Sequence, residues 1–267
     1  MHKWQKRSKD EIMKEISFEE RRQIQLDMLI EIDEFCRNNN IRYTLAYGTL
    51  IGAIRHKGFI PWDDDVDIMM PLPDMLRFKE VFKSDSMCYC DVDTDKNYQF
   101  AFSRIAHTKT YNKDGLIAKS YGVNIDLYPV LGLPNSLKKV DCFFNEAKMV
   151  LSKRMNYLNL KKRLVKFLPL KTIPGFNKVM RQYRDFLFQY PFENTKYFFT
   201  YGGGLHMRNV VDYDLFDQMT IVSFEGHKFM ATAHYDKYLR HFYGDYMQLP
   251  PIEQRVPYHG GKYFWKN

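Results

Sequence analysis

Nothing in this chain approaches the roughly 18 consecutive apolar residues that a bilayer-spanning helix requires, so no membrane span is expected. The basic start, Met-His-Lys-Trp-Gln-Lys-Arg, leads into no apolar segment, and no secretory signal is read there. Cysteine is scarce. Cys36, Cys88, Cys90 and Cys142 are the only four, and no CxxC pair occurs. That disfavours a zinc site or a disulfide framework, and buried free thiols in a reducing, cytoplasmic compartment are expected. Internal repeats, low-complexity tracts and the signatures of the usual nucleic-acid modules are also missing, so no nucleic-acid partner is expected.

The chain is instead rich in aromatic and basic groups. Its 267 residues are 45% hydrophobic and include 21 Phe and 19 Tyr. That is enough apolar surface for one substantial core. The formal net charge of +8 points to an anionic partner such as a nucleotide, an acidic polysaccharide or a membrane surface. The segment 161–175, KKRLVKFLPLKTIPG, is basic and apolar together. It reads as a solvated helix end, with a peripheral contact on an anionic membrane as the alternative.

Periodicity and breakers give a coarse map. Residues 1–16 read as a charged arm or short helix. Ser17 and Glu20 form a capping-box signature, and Ile24, Met28, Ile32 and Phe35 follow at helical spacing until Asn38, Asn39 and Asn40. Strands are expected over 41–47, 64–70, 87–92, 98–106 and 122–128, the last closed by Pro129. Short helices are expected over 49–56 and 73–83. The stretch 136–190 reads as helical, broken at Pro169 and Pro174. A strand at 196–201, a hairpin about Glu225-Gly226 and a helix over 233–243 complete the chain. Strands and helices mix without regular βαβ alternation, so the expected class is α+β.

The densest chemical signal is Trp62-Asp63-Asp64-Asp65-Val66-Asp67-Ile68. Four carboxylates within five residues repel one another unless a cation compensates them. On an extended segment Asp63, Asp65 and Asp67 would share one face and Asp64 the other. Such oxygen ligands suit a hard divalent ion, Mg²⁺ or Mn²⁺. Asp126, an acid inside the apolar pattern of Asn124-Ile125-Asp126-Leu127, is the candidate third ligand, joining an i, i+2 pair from a neighbouring strand. The bland alternative, a solvated acidic turn, is opposed by the apolar residues Phe59, Ile60, Ile68, Met69 and Met70 on both sides.

Upstream, Gly48 and Thr49 open the helix expected over 49–56. Glycine permits close approach, free N–H groups at a helix start can hold phosphate, and Thr49 could cap the helix or touch that phosphate. Arg55 could reach a phosphate or the acids. Arg104 and Lys109 are further phosphate-binding candidates, and His259 with Arg255 could close over the site.

The stretch Tyr43–Ile68, YTLAYGTLIGAIRHKGFIPWDDDVDI, closely resembles the signature of the LicD family. Two later segments resemble the family too: Asn124–Pro129, and Tyr243-Gly244-Asp245-Tyr246-Met247 through Pro250-Pro251. The resemblance runs from about Phe18 to His259. It implies a nucleotidyltransferase-like mixed sheet with flanking helices. The whole chain, 1–267, is then one catalytic domain: a core over 17–134, a helical insertion over 135–190 and a C-terminal portion over 191–267 that completes the site. The implied reaction transfers a phosphorylated alcohol, with phosphocholine the leading candidate, from a CDP-activated donor to a cell-surface or lipid-linked glycan. Ethanolamine, ribitol and glycerol stay open as the alcohol, and lipopolysaccharide, teichoic acid and capsule as the acceptor. By the same resemblance Gly48 and Thr49 match the phosphate-proximal turn. Asp65 and Asp67 match paired metal ligands joined by Asp63, and Asp126 matches the third carboxylate, with catalysis resting on Asp65, Asp67 and Asp126. Two rivals share these residues: a nucleotidyltransferase moving NMP onto a small molecule, and a non-catalytic metal-stabilised glycan-binding protein.

Overall fold

The computed structural model describes residues 14–112, 121–164, 175–201, 204–257 and 261–266. Strand β1 (Glu15–Ile16) leads into helix α1 (Phe18–Asn38), so the end of the arm is extended. Ser17 caps α1 by accepting from the Glu20 N–H at 3.1 Å. Glu20 does not complete the capping box. Its carboxylate takes Lys14 Nζ and Trp265 Nε1 instead.

The expected strand 41–47 shrinks to β2 (Thr44–Leu45), and helix α2 (Tyr47–Ile51) begins two residues later, with Ala46 rather than Thr49 at its cap position. Gly52–His56 continues it as a π-helical turn, which Lys57 ends in the left-handed region. Tyr47 itself has φ +44°, a costly conformation for a bulky side chain, and its ring is packed 5.2 Å from that of Tyr128. Strand β3 (Asp67–Pro71) starts three residues later than expected and passes into α3 (Leu72–Val81). Strands β4 (Met87–Cys90), β5 (Ser103–His107), β6 (Thr110–Asn112) and β7 (Asn124–Gly132) follow. Pro129 does not close β7. It pairs in register with Met70 of β3, and beyond it the strand turns to a new partner.

Helices α4 (Leu137–Leu164) and α5 (Phe176–Leu187) occupy the expected helical stretch, and Pro169 and Pro174 lie outside the described residues. Strands β8 (Phe198–Thr200) and β9 (Val210–Val211) precede the hairpin β10 (Met219–Phe224) and β11 (His227–Thr232). Glu225 and Gly226 turn that hairpin at φ +48° and +77°, the two positive angles of a type I′ turn. Helix α6 (Tyr235–Tyr243) and strand β12 (Tyr263–Trp265) end the described chain.

The main sheet runs β2-β3-β7-β5-β4, with β8 and β9 added beyond the far half of β7. Only β3 and β7 are parallel, so the sheet is mixed and the class is α+β, as expected. Phe35 of α1 meets Phe78 of α3 edge to face at 5.6 Å, and Phe78 reaches Tyr89 of β4. Both helices therefore cover the face that carries Ile68, Leu127 and Ile105, all fully buried. Strand alternation sends Asp67, Asp126, Tyr128 and Arg104 to the opposite face. Helix α6 closes that face at one end, where Tyr238 Oη lies 3.8 Å from Met69 Sδ. A small antiparallel sheet, β1-β12-β6, ties the chain's two ends together. None of the four cysteines forms a disulfide among the described residues; Cys36 and Cys90 are buried, as expected, but Cys88 and Cys142 are exposed. Among the described residues no helix is long and apolar enough to cross a membrane.

Candidate active site

The acidic row is not a pleated strand. Residues 63–66 precede β3 and follow an irregular path set by side chains from α1. Arg22 donates to the carbonyls of Ile60 at 2.6 Å and Asp63 at 2.7 Å. Arg21 reaches Asp64 at 3.0 Å, and both side chains of that pair are almost wholly buried. Asp64 is thereby drawn inward. Its ligand oxygens still lie within 4.8 Å of those of Asp63 and Asp65. These two arginines were missed in the sequence, although Arg21 stands three residues before Ile24 on the buried face of the helix. A cation on an apolar stripe is a signal that a buried acid awaits it.

Asp67 begins β3 directly beside Asp126 on the parallel strand β7. Its backbone N–H donates to Thr49 Oγ1 at 2.9 Å, so Thr49 fixes the start of β3 and does not cap its own helix. Gly48 has a steric duty: a Cβ built there would stand 2.5 Å from Asp63 Oδ2. Gly48→Ala must push that carboxylate aside while leaving the backbone intact. Manganese affinity, read by the electron-resonance signal of free Mn²⁺, should fall about tenfold with the melting temperature within about 2 °C of the parent. An unchanged affinity would show that Asp63 is not a ligand.

Asp126 is held on both oxygens. Arg104 donates Nε to Oδ1 at 2.7 Å and Nη2 to Oδ2 at 3.1 Å, and Asn124 Nδ2 adds a bond at 2.6 Å. Arg104, read in the sequence as a phosphate-binding candidate, is thus the partner of Asp126, its guanidinium 4.3 Å from the centre of the Phe100 ring. Arg55 turns away from the acids to the carbonyls of Tyr246 and Gln248. Lys109 is exposed in the β5–β6 turn, its carbonyl bonded to the Lys266 N–H, and is not brought to the acids. His259 lies outside the described residues.

The electrostatics ask for a cation. Burial, and then Asp65 beside it, push the Asp63 carboxyl up to about 7. Burial and the charges of Asp65, Asp126 and Asp63 hold Asp67 well above the usual carboxylate range. Asp67 is 7% exposed, and its Oδ1 is buried with no hydrogen-bond partner among the described residues. An orphaned carboxylate oxygen facing further acids fits a hard divalent ion, with Asp63, Asp65 and Asp67 to hold it.

A mixed sheet with Asp67 and Asp126 on neighbouring parallel strands, beside the short helix that carries Gly48 and Thr49, is the arrangement expected of a nucleotidyltransferase-type domain. The family model described as "LicD/FKTN/FKRP, nucleotidyltransferase domain" matches residues 40–181, and the chain belongs to that LicD family. It is 29% identical over 261 residues to the lipopolysaccharide cholinephosphotransferase LicD of Haemophilus influenzae, covering 92% of this chain and 97% of that protein. An uncharacterized protein of Rickettsia typhi is 29% identical over 106 residues, covering 39% of this chain and 34% of its own length. One of Rickettsia prowazekii is 35% identical over 82 residues, covering 30% of this chain and 31% of its own.

Proposed function

We propose that this protein transfers phosphocholine from a CDP-activated donor to a glycan hydroxyl, using Mg²⁺ or Mn²⁺ held by Asp63, Asp65 and Asp67. The observation that carries the reading is the cluster of Asp63, Asp64 and Asp65, with ligand oxygens within 4.8 Å of one another, just ahead of Asp67, whose buried Oδ1 has no hydrogen-bond partner among the described residues. The near end-to-end similarity to a lipopolysaccharide cholinephosphotransferase supports phosphocholine as the group and a glycan as the acceptor. A divalent ion supplies charge neutralisation on the diphosphate and lowers the pKa of the attacking hydroxyl.

The chain's own residues supply the positioning on which phosphoryl transfer depends. Thr49 and Arg22 fix the backbone of Asp67 and Asp63. Gly48 leaves room for the Asp63 carboxylate. The glycan oxygen forms its bond to the phosphorus bearing choline while the bond to CMP breaks. The hydroxyl proton passes to a carboxylate of the cluster. Asp126, with both oxygens on Arg104, is the less available acceptor and serves to hold that cation beside Asp67.

Incubation of the full chain with CDP-choline, Mn²⁺ and lipopolysaccharide, followed by mass spectrometry, tests this. CMP release with a phosphocholine mass increment on the glycan is expected. Pyrophosphate release from CTP would favour a nucleotidyltransferase. Neither product with either ion would overturn the reading.

A further inference from the structure

Most arginines whose contacts are described pair with carboxylates, while Arg22 and Arg208 bind backbone carbonyls. Arg21, Arg37, Arg42, Arg104, Arg184 and Arg240 each make an ion pair of 2.5 to 3.0 Å. Arg55 and Arg255 make none among the described residues. Arg55 donates Nη1 to two carbonyls and Nε to His56 Nε2 at 2.9 Å. Arg255 donates Nε to the Pro250 carbonyl at 2.8 Å, and its guanidinium lies 5.5 Å from the centre of the Trp62 ring. The His56 ring stands edge-on to the same indole at 6.4 Å.

Two arginines from distant parts of the chain therefore approach one corner beside His56 and Trp62, and neither has an ion pair among the described residues. Burial, and then the charge of Arg255, lowers the Arg55 pKa, as expected of like charges forced together. Nη2 of Arg55 and both terminal nitrogens of Arg255 have no acceptor among the described residues. Planar, always-charged forks with spare donors are the groups that grip phosphate. Trp62 directly precedes Asp63, so the corner is one residue along the backbone from the candidate ligands.

We propose that Arg55 and Arg255, grouped around Trp62, form a phosphate subsite that takes the nucleoside-monophosphate half of the donor diphosphate. The proposal rests on the CDP-activated donor argued above. In the transfer the glycan oxygen bonds to the choline-bearing phosphorus, and the bridging P–O bond breaks with its electron pair going to the CMP oxygen. The two guanidiniums neutralise the charge gained there, and the hydroxyl proton goes to the acid cluster. The motif segment Tyr243–Pro251 then has a physical duty: its carbonyls of Tyr246, Gln248 and Pro250 aim both arginines.

The test is calorimetric titration of the full chain with CMP and with inorganic pyrophosphate, beside a separate Mn²⁺ titration. Arg255→Gln should weaken both anions about tenfold with Mn²⁺ affinity unchanged, and Arg255→Lys should recover part of the loss. The KM for CDP-choline should rise by a similar factor. Anion binding by Arg255→Gln equal to the parent's would overturn the subsite. If the parent releases no CMP from CDP-choline yet binds pyrophosphate through Arg255, the subsite stands and the donor assignment falls. Arg55→Lys tests the second cation, and because both arginines also hold backbone carbonyls, unchanged Mn²⁺ affinity and melting temperature of Arg255→Gln are the control for folding.

Discussion

Asp67→Asn should cut phosphocholine transfer about a thousandfold and at the same time make the protein more stable in the absence of divalent ion. The two effects share one cause. Asp67 is buried, feels the charges of Asp65, Asp126 and Asp63, and has one oxygen without a donor among the described residues. Burial and like charges raise its pKa, so the folded state at neutral pH carries a carboxylate that it would rather protonate. Asparagine keeps the shape, removes the charge and gives its neighbours a donor. A gain of about 1–2 kcal/mol is expected, read as a rise in melting temperature of about 2–4 °C per kcal/mol. Manganese should raise the melting temperature of the parent and not of the variant. A variant less stable than the parent without ion would mean that Asp67 is already compensated, and the cation site would have no basis.

The second large effect is expected far from any substrate. Arg21→Met strands the Asp64 carboxylate in the interior, with the two side chains of the pair only 6% and 0% exposed. Removing one member of a buried ion pair costs about 3–5 kcal/mol, because the remaining charge is left uncompensated. Urea unfolding should show a lower midpoint with an unchanged slope. The double replacement Arg21→Met with Asp64→Leu should recover most of the loss, since it removes both charges. Equal losses in the single and double variants would show that packing, not charge, carries the effect. Asp64 lies between Asp63 and Asp65, so this pair also anchors the loop that presents the candidate ligands.

The Arg21–Asp64 pair illustrates how far local reading goes. Helix α1 was legible because its cap and its apolar spacing are local, and the hairpin was legible because Gly226 breaks two strand-like runs at a position where φ is positive. The acids were legible as a cluster because like charges so close need a reason. Their geometry was not. Alternation on a strand would have put Asp63, Asp65 and Asp67 in a row, but the strand begins only at Asp67 and the approach is bent by Arg21 and Arg22. Pro129 read as a strand end, because proline lacks the N–H that a ladder needs, but β7 runs on through it and changes partner.

The sequence by itself determined the α+β class, the helix and hairpin signals and the supply of acids and bases, because each follows from backbone geometry or composition over a few residues. Only the tertiary structure decided which base meets which acid. Arg104 went to Asp126, Arg21 to Asp64 and Arg22 to the carbonyls of the acidic loop, while Arg55 and Arg255 went to the carbonyls of Tyr246, Gln248 and Pro250. Charges pair through space at a few ångströms, and the path that brings residues such as Arg22 and Asp63 together, 41 positions apart, is set by how the whole core packs.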